Sequence, residues 1–220
     1  PGRPIGDGPD GHSLWPAFTN VPNEFVEAYF PLRIEKYQTI PDSGGAGLYR
    51  GGNGLNVAYR FLCDGEIGIH DDRWLTYPWG VNGGEPGQRS TKLLERRDGT
   101  QQVLPAKCEG IEVKEGDLLH FNTWGGGGWG DPLLRDTALV LQDIEKRLVS
   151  SEGAIRYGVV LTHEGSLDEE ATISLREELR LERGKELPMF NFGGDIEDIR
   201  SRCLSETKLE PPVAPTFIES

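Results

Sequence analysis

Glycine density sets the strongest limit on what this chain can fold into. The stretch Asp42-Ser43-Gly44-Gly45-Ala46-Gly47-Leu48-Tyr49-Arg50-Gly51-Gly52-Asn53-Gly54 is crowded with glycine, and an arginine sits among them. Glycine loses more backbone freedom on folding than any other residue. Such density persists only where the backbone takes positive φ, packs very closely or approaches a ligand. A second stretch is Trp124-Gly125-Gly126-Gly127-Gly128-Trp129-Gly130-Asp131-Pro132. Between them lies Tyr77-Pro78-Trp79-Gly80-Val81-Asn82-Gly83-Gly84-Glu85-Pro86-Gly87. Three glycine-aromatic loops point to one built surface.

Composition narrows the class. The 220 residues suffice for one large domain, or one domain with an appendage. No apolar run approaches the roughly 20 residues that span a bilayer. The start, Pro1-Gly2-Arg3-Pro4, has no apolar core and so no visible signal peptide. It also lacks Met, so the native terminus is expected to be processed, trimmed or cut from something longer. Three well-separated cysteines, Cys63, Cys108 and Cys203, argue for reduced thiols in a cytoplasmic protein. The net charge of -13, with no Lys/Arg cluster, argues against a nucleic-acid partner and against anionic membrane surfaces.

Residues 25–123 read as short strands between turns. Phe30–Tyr37 and Leu55–Phe61 alternate apolar and polar residues, and Ile67–His70 is a further candidate. Ile111–Val113 and Leu118–Phe121 flank Lys114-Glu115-Gly116-Asp117, a hairpin-type turn, and Asp98-Gly99 marks another turn between strands. This spacing predicts a sandwich or a barrel.

Beyond residue 132 the period becomes helical. Asp136 can cap a helix bearing Val140, Ile144 and Leu148. Ser150 opens a short helix ending near Gly158, and Val159–Leu161 reads as a strand. Ser166-Leu167-Asp168-Glu169 has the form of a capping box for a helix running to about Arg183, with Gly184 just past its end. A last helix holds Ile196, Ile199 and Cys203, and Glu210–Pro215 is an extended Pro-rich arm. The expected organisation is α+β: an extended segment (1–24) packing on other protein, a strand-rich glycine-loop body (25–132), a helical appendage (133–207) and a Pro-rich tail (208–220).

The candidate chemistry leaves alternatives open. The loop at 42–54 lacks the Gly-Lys-Ser/Thr ending of a phosphate loop, and a strand rather than a helix follows it. It is either a tight structural turn, with Arg50 bonded to backbone carbonyls, or a ligand or partner contact. His70-Asp71-Asp72-Arg73 is the densest polar cluster, but strand alternation lets at most two of the four converge. His12 beside Ser13 has no third group to orient it. His120 and His163 read as isolated histidines. Trp74, Trp79, Trp124 and Trp129 could line a pocket or fill a core.

These residues resemble the C-terminal third to half of the hydantoinase B/oxoprolinase family. The matching pieces are Glu24–Glu27 before Tyr29–Glu35, then Asp42–Gly47 with Tyr49–Gly52, and Asp72-Arg73. They continue with Pro78-Trp79-Gly80 and Gly83-Gly84, Gly116-Asp117, Gly125–Gly128 with Gly130-Asp131-Pro132, and Tyr157–Val160. Phe190–Gly193 and Cys203–Thr207 resemble the tail of the acetone and acetophenone carboxylase members.

The resemblance implies a subunit of a multi-subunit, ATP-dependent hydrolase or carboxylase. A hydantoinase A type partner would hold ATP and Mg and phosphorylate the substrate. The B-type subunit would then act on the activated cyclic amide or ketone. A divalent metal site of some relatives belongs to the N-terminal half of the B-type subunit, so this chain alone is expected to hold no cofactor and to be inactive. It would bind that half and wall the active-site cavity. Candidate residues there are His12, Arg50, Asp72 and Arg73 for catalysis and Trp79 for substrate. Two other readings stand beside this one. The first is a purely structural subunit. The second is a self-sufficient β-barrel enzyme with a metal on His70, Asp72 and His120.

Overall fold

Alternation in two neighbouring strands builds the main core. In the computed structural model, which describes residues 5–12, 20–189, 195–211 and 213, β2 (Leu55–Phe61) pairs antiparallel with β7 (Leu118–Asn122). Tyr59 and Phe61 share a face with Leu119 and Phe121. β1 (Leu32–Thr39) flanks β2 on the other side. β4 (Thr91–Glu95) and β5 (Gln101–Val103) continue the sheet beyond β7, giving the order β1-β2-β7-β4-β5. β3 (Gly65–His70) and β6 (Lys107–Val113) form a separate two-stranded sheet. Ile69 and Val113 from this pair join Phe61, Leu94, Leu104 and Leu119 in one buried cluster. Two sheets sharing a core make a sandwich. The larger sheet ends openly at β1 and β5, so the barrel expectation gives way to a sandwich and the α+β class stands.

Several local expectations hold. β2 occupies Leu55–Phe61, and β4 and β5 form the hairpin around Asp98-Gly99, with Gly99 at φ +86°. Others do not. Lys114–Gly116 is not a hairpin turn. It carries the chain from β6 in one sheet to β7 in the other. The reason is Asp117, which is buried and accepts the amides of Lys114 (3.0 Å) and Arg97 (3.1 Å) and the guanidinium of Arg96 (2.8 Å). The helix α1 (Asn23–Tyr29) precedes β1 where strand texture alone was expected. Its Glu27 accepts the Ile34 amide at 2.8 Å, which satisfies one donor on the edge strand.

In the second half, Asp136 caps α2 (Thr137–Glu145) by accepting the Ala138 amide. Ser150 Oγ accepts the Gly153 amide, and a 3-10 turn over Gly153–Tyr157 ends at left-handed Gly158. Val159–Leu161 is not a strand: Ala154 O takes the Val159 amide, and Thr172 Oγ1 takes that of Val160. α3 (Glu169–Arg183) is capped by Asp168, not Ser166, which is held in the turn after Thr162. α4 (Ile196–Thr207) buries Ile199 and Cys203.

The helical part shares a core with the glycine body. Ala46 of the first glycine loop clusters with Val140, Val149, Ala154, Tyr157 and Val159. Arg183 grips Asp131 with two bonds of 2.8 Å, and Ser150 N donates to Asp42. Of the segment 1–24, expected to pack on other protein, residues 7–11 lie on this chain's own loops. Most of the Pro-rich tail and Phe190–Gly193 fall outside the described residues.

Candidate functional site

The three glycine loops do form one surface, and they do so by packing backbone on backbone. Gly45 N donates to Gly126 O (2.8 Å), Gly126 N to Gly52 O (2.8 Å), Gly128 N to Glu85 O (2.9 Å) and Glu85 N to Ala46 O (2.7 Å). A Cβ placed on Gly125 would lie 1.8 Å from Ser43 O, and one on Gly127 1.8 Å from Trp79 O. These glycines are glycines because another main chain occupies the side-chain space. Their amides are spent on neighbouring carbonyls, so none of these four donors is left to cradle a phosphate.

Arg50 lies inside this layer, 4 % exposed. It donates to Gly51 O (2.8 Å) and to both Asp10 oxygens (2.8 and 3.3 Å), and its Nε is 3.5 Å from Asp143. Beside it Arg135, 1 % exposed, pairs with Asp7 (2.6 and 2.7 Å) and with Asp143 (2.7 Å). Burial pushes the Asp7 carboxyl up, but the Arg135 guanidinium and the Arg50 amide overcome this and hold it below the usual range. Burial also drives the Tyr157 phenol, packed under Arg135, up to about 12. The structural expectation for Arg50 named one of its contacts, the carbonyl of Gly51; the others are carboxylates of this chain.

The cluster at residues 70–73 splits apart, although only His70 lies on β3 and the other three follow the strand. His70 and Asp72 are exposed, and Asp72 pairs with Lys107 at 3.2 Å. Asp71 turns inward to Lys92. Arg73 adopts a left-handed backbone, φ +59°, and lays its guanidinium 5.0 Å over the Trp79 ring. Trp79 is 46 % exposed. Ser90 clamps the turn, its amide bonding Arg73 O and its hydroxyl bonding Asp72 O. His12 is exposed on the N-terminal segment. His70 and His120 lie on strands of different sheets, and among the described residues no three His, Cys, Asp or Glu gather for a metal.

Sequence reasoning missed Asp7, Asp10, Arg135, Asp143 and Lys92. The two aspartates carry a readable signal, an Asp-x-x-Asp spacing beside glycine. The buried ends of Arg135 and Lys92 carry none, since each sits in a segment of ordinary surface composition. An open depression of about 690 Å³ lies away from all these residues, between Asp64, Arg96, Lys114 and Asp117, whose charges already pair with one another.

The fold and the glycine-packed face define the class: a β-sandwich body closed on one side by interlocked glycine loops and a helical flank. The Hydantoinase B/oxoprolinase family profile matches residues 1–132. The chain belongs to that family. An uncharacterized Methanocaldococcus jannaschii protein is 39 % identical over 137 residues, covering 62 % of this chain and 24 % of that protein. The caprolactamase subunit beta of Pseudomonas jessenii is 35 % identical over 162 residues, covering 68 % and 26 %. The crystal structure of the ATP-dependent caprolactamase from that organism superposes with a TM-score of 0.62 at 30 % identity, covering 71 % of this chain and 28 % of that one. A nucleotide-free acetone carboxylase shares the fold at TM-score 0.68 and 24 % identity, covering 84 % and 30 %. The chain thus spans about a quarter of the length of these two curated relatives. Among the described residues no helix is long and apolar enough to cross a membrane.

Proposed function

We propose that this chain is the C-terminal part, or a split subunit, of an ATP-dependent hydantoinase/oxoprolinase-type enzyme acting on a phosphorylated cyclic amide or ketone in the cytoplasm. ATP and Mg belong to a hydantoinase A type partner, and the rest of the B-type subunit supplies any divalent metal. This chain walls the cavity. Opening of a cyclic amide is the preferred reaction, because a relative 35 % identical is named a caprolactamase subunit. Carboxylation of a ketone draws only on a fold likeness.

Arg73 carries this assignment. Among the described residues no ion pair engages its guanidinium; it rests on the half-exposed Trp79. A planar, permanently charged fork suits a carboxylate or phosphoryl group. A left-handed non-glycine backbone is strained, and strain of this kind clusters at functional positions. Arg50, whose two terminal nitrogens are engaged by Asp10 and Gly51 O, fits a structural role better. The test is Arg73→Lys and Arg73→Ala in the enzyme reconstituted with its ATP-binding partner. Turnover should fall on the order of 10²–10³-fold, with assembly and melting temperature unchanged. Normal turnover of both variants overturns the assignment. It also favours a purely structural subunit, the reading supported by glycine loops whose amides bond carbonyls of their own chain.

A further inference from the structure

Residues 7–11, Asp-Gly-Pro-Asp-Gly, run along Arg50–Asn53 in matched register. Gly8 N donates to Arg50 O and Gly11 N to Asn53 O, each at 2.8 Å. In return Arg50 N donates to Asp7 Oδ1 and Asn53 N to Asp10 Oδ1, each at 2.7 Å. The three-residue step between the aspartates therefore equals the step between the amides they accept. Each carboxylate then also takes a buried guanidinium, Asp7 that of Arg135 and Asp10 that of Arg50. The fit is close on both sides. A Cβ on Gly52 would lie 2.1 Å from Pro9 O, and one on Gly8 2.5 Å from Gly52 N.

This docking is mainly polar, with Gly11 resting against the Leu55 side chain. Ile5, beside the segment, is fully exposed, and His12 at its other end is exposed too. Beneath it, two buried arginines face one other buried carboxylate, Asp143. The Nε groups of Arg50 and Arg135 lack hydrogen-bond partners even with the segment in place. Among the described residues Asp143 is the one other carboxylate paired with either arginine, and unpaired buried charge is strongly unfavourable.

We propose that Arg50–Asn53 together with Arg135 forms a recognition groove for an extended Asp-x-x-Asp peptide. The chain's own Asp7–Asp10 fills it here. Main-chain bonds give the register, and the two guanidiniums read the carboxylates. The ionic core is complete only when this segment is docked, so the stability of the body depends on its occupant. The groove is independent of the enzymatic assignment above.

The test uses the full chain carrying Asp7→Asn and Asp10→Asn, with a free peptide of sequence Ile-Gly-Asp-Gly-Pro-Asp-Gly-His. The double variant should melt about 5–10 °C lower than the parent, by the usual conversion of a few kcal/mol for a chain this long. The peptide should bind it saturably and restore at least half of that loss. A peptide with Asn at both Asp positions should bind about tenfold more weakly or worse. Equal binding of the two peptides, or no binding, overturns the proposal, as does an unchanged melting temperature. If the double variant does not fold, hydrogen exchange on the parent chain decides. The amides of Gly8, Gly11, Arg50 and Asn53 should exchange together and faster than those of Tyr49 and Trp129. Exchange of all six only by global unfolding overturns the groove.

Discussion

Lys92 and Asp71 form an ion pair inside the molecule, with side chains 1 % and 7 % exposed. The Lys92 ammonium also lies 4.2 Å over the Phe121 ring, and Lys92 lines a small pocket with Thr207 and Leu209. Burial pushes the Lys92 ammonium down, and Asp71 partly restores it. Asp71→Ala strands a buried cation and should cost about 3–5 kcal/mol in urea unfolding. Asp71→Leu combined with Lys92→Met should recover most of that loss, because a buried pair of this kind exchanges for apolar packing at little net cost. A double variant as unstable as Asp71→Ala would show that the pair does more than neutralise itself.

The glycine layer predicts two sharply different outcomes for glycine to alanine changes. Gly127→Ala drives a methyl group to 1.8 Å from Trp79 O, a contact with backbone that cannot swing away. It should abolish folding or lower stability by more than about 4 kcal/mol, in the range reserved for severe strain. Gly6→Ala meets nothing within 4 Å and should stay within about 0.5 kcal/mol. If the loops instead served as a ligand cradle, Gly127→Ala would fold normally and lose only activity.

How much of this was legible follows from where the signal sits. The period-two pattern in Leu55–Phe61 and the Asp98-Gly99 turn are local, so β2 and the β4–β5 hairpin could be read directly. The same local logic failed at Lys114–Gly116, because the choice between hairpin and crossover is made by Asp117 binding Arg96 and Arg97 some twenty residues away. It failed at Ser166 because a turn back to Thr162 consumed the residue before it could cap. Glycine density marked the correct surface. It did not distinguish main-chain contact from ligand contact, since both demand a missing Cβ. Arg73 was flagged from its cluster, but its left-handed backbone and its stacking on Trp79 are set by the Ser90 clamp, which no spacing announces.

Acid should unfold the chain in a defined window. Asp7, Asp117 and Asp131 are each pushed up by burial but held lower still by hydrogen bonds and guanidiniums, so their folded carboxyls lie below the ordinary value. A carboxyl depressed on folding contributes stability that is complete above its unfolded value, about 3.9, and is lost as pH falls through the folded value. Stability should therefore hold from neutrality to about pH 4 and fall steeply below it. Asp131→Asn, which breaks the Arg183 fork, should lower stability at pH 7 and flatten that acid limb. An acid limb of unchanged slope would remove Asp131 from the account.

The pure chain should hydrolyse no ATP. The glycine loops hold no Gly-Lys-Ser/Thr ending, and the amides of Gly45, Gly126 and Gly128 already bond carbonyls of their own chain. Phosphate release from the isolated protein at a rate above that of a heat-killed control, with or without a cyclic amide, would refute this.

Arg50 separates a structural arginine from one that meets the intermediate. Its guanidinium binds Asp10 through two nitrogens and Gly51 O through one, 4 % exposed and beside Asp143. Burial alone would ease its proton off, but Asp10, Asp143 and Asp7 raise its affinity for the proton further. Arg50→Lys keeps the charge but replaces a planar fork by a point donor that cannot serve both Asp10 oxygens and the carbonyl at once. The expected loss is about 1–3 kcal/mol of stability, seen as a lower melting temperature of the reconstituted complex. Turnover per intact complex should stay within about twofold of the parent, because the lost bonds all lie within this chain. Arg73→Lys should show the reverse pattern, with melting unchanged and turnover reduced. Should Arg50→Lys instead melt normally and turn over slowly, the buried network would have to open during catalysis, and the roles assigned to the two arginines would be exchanged.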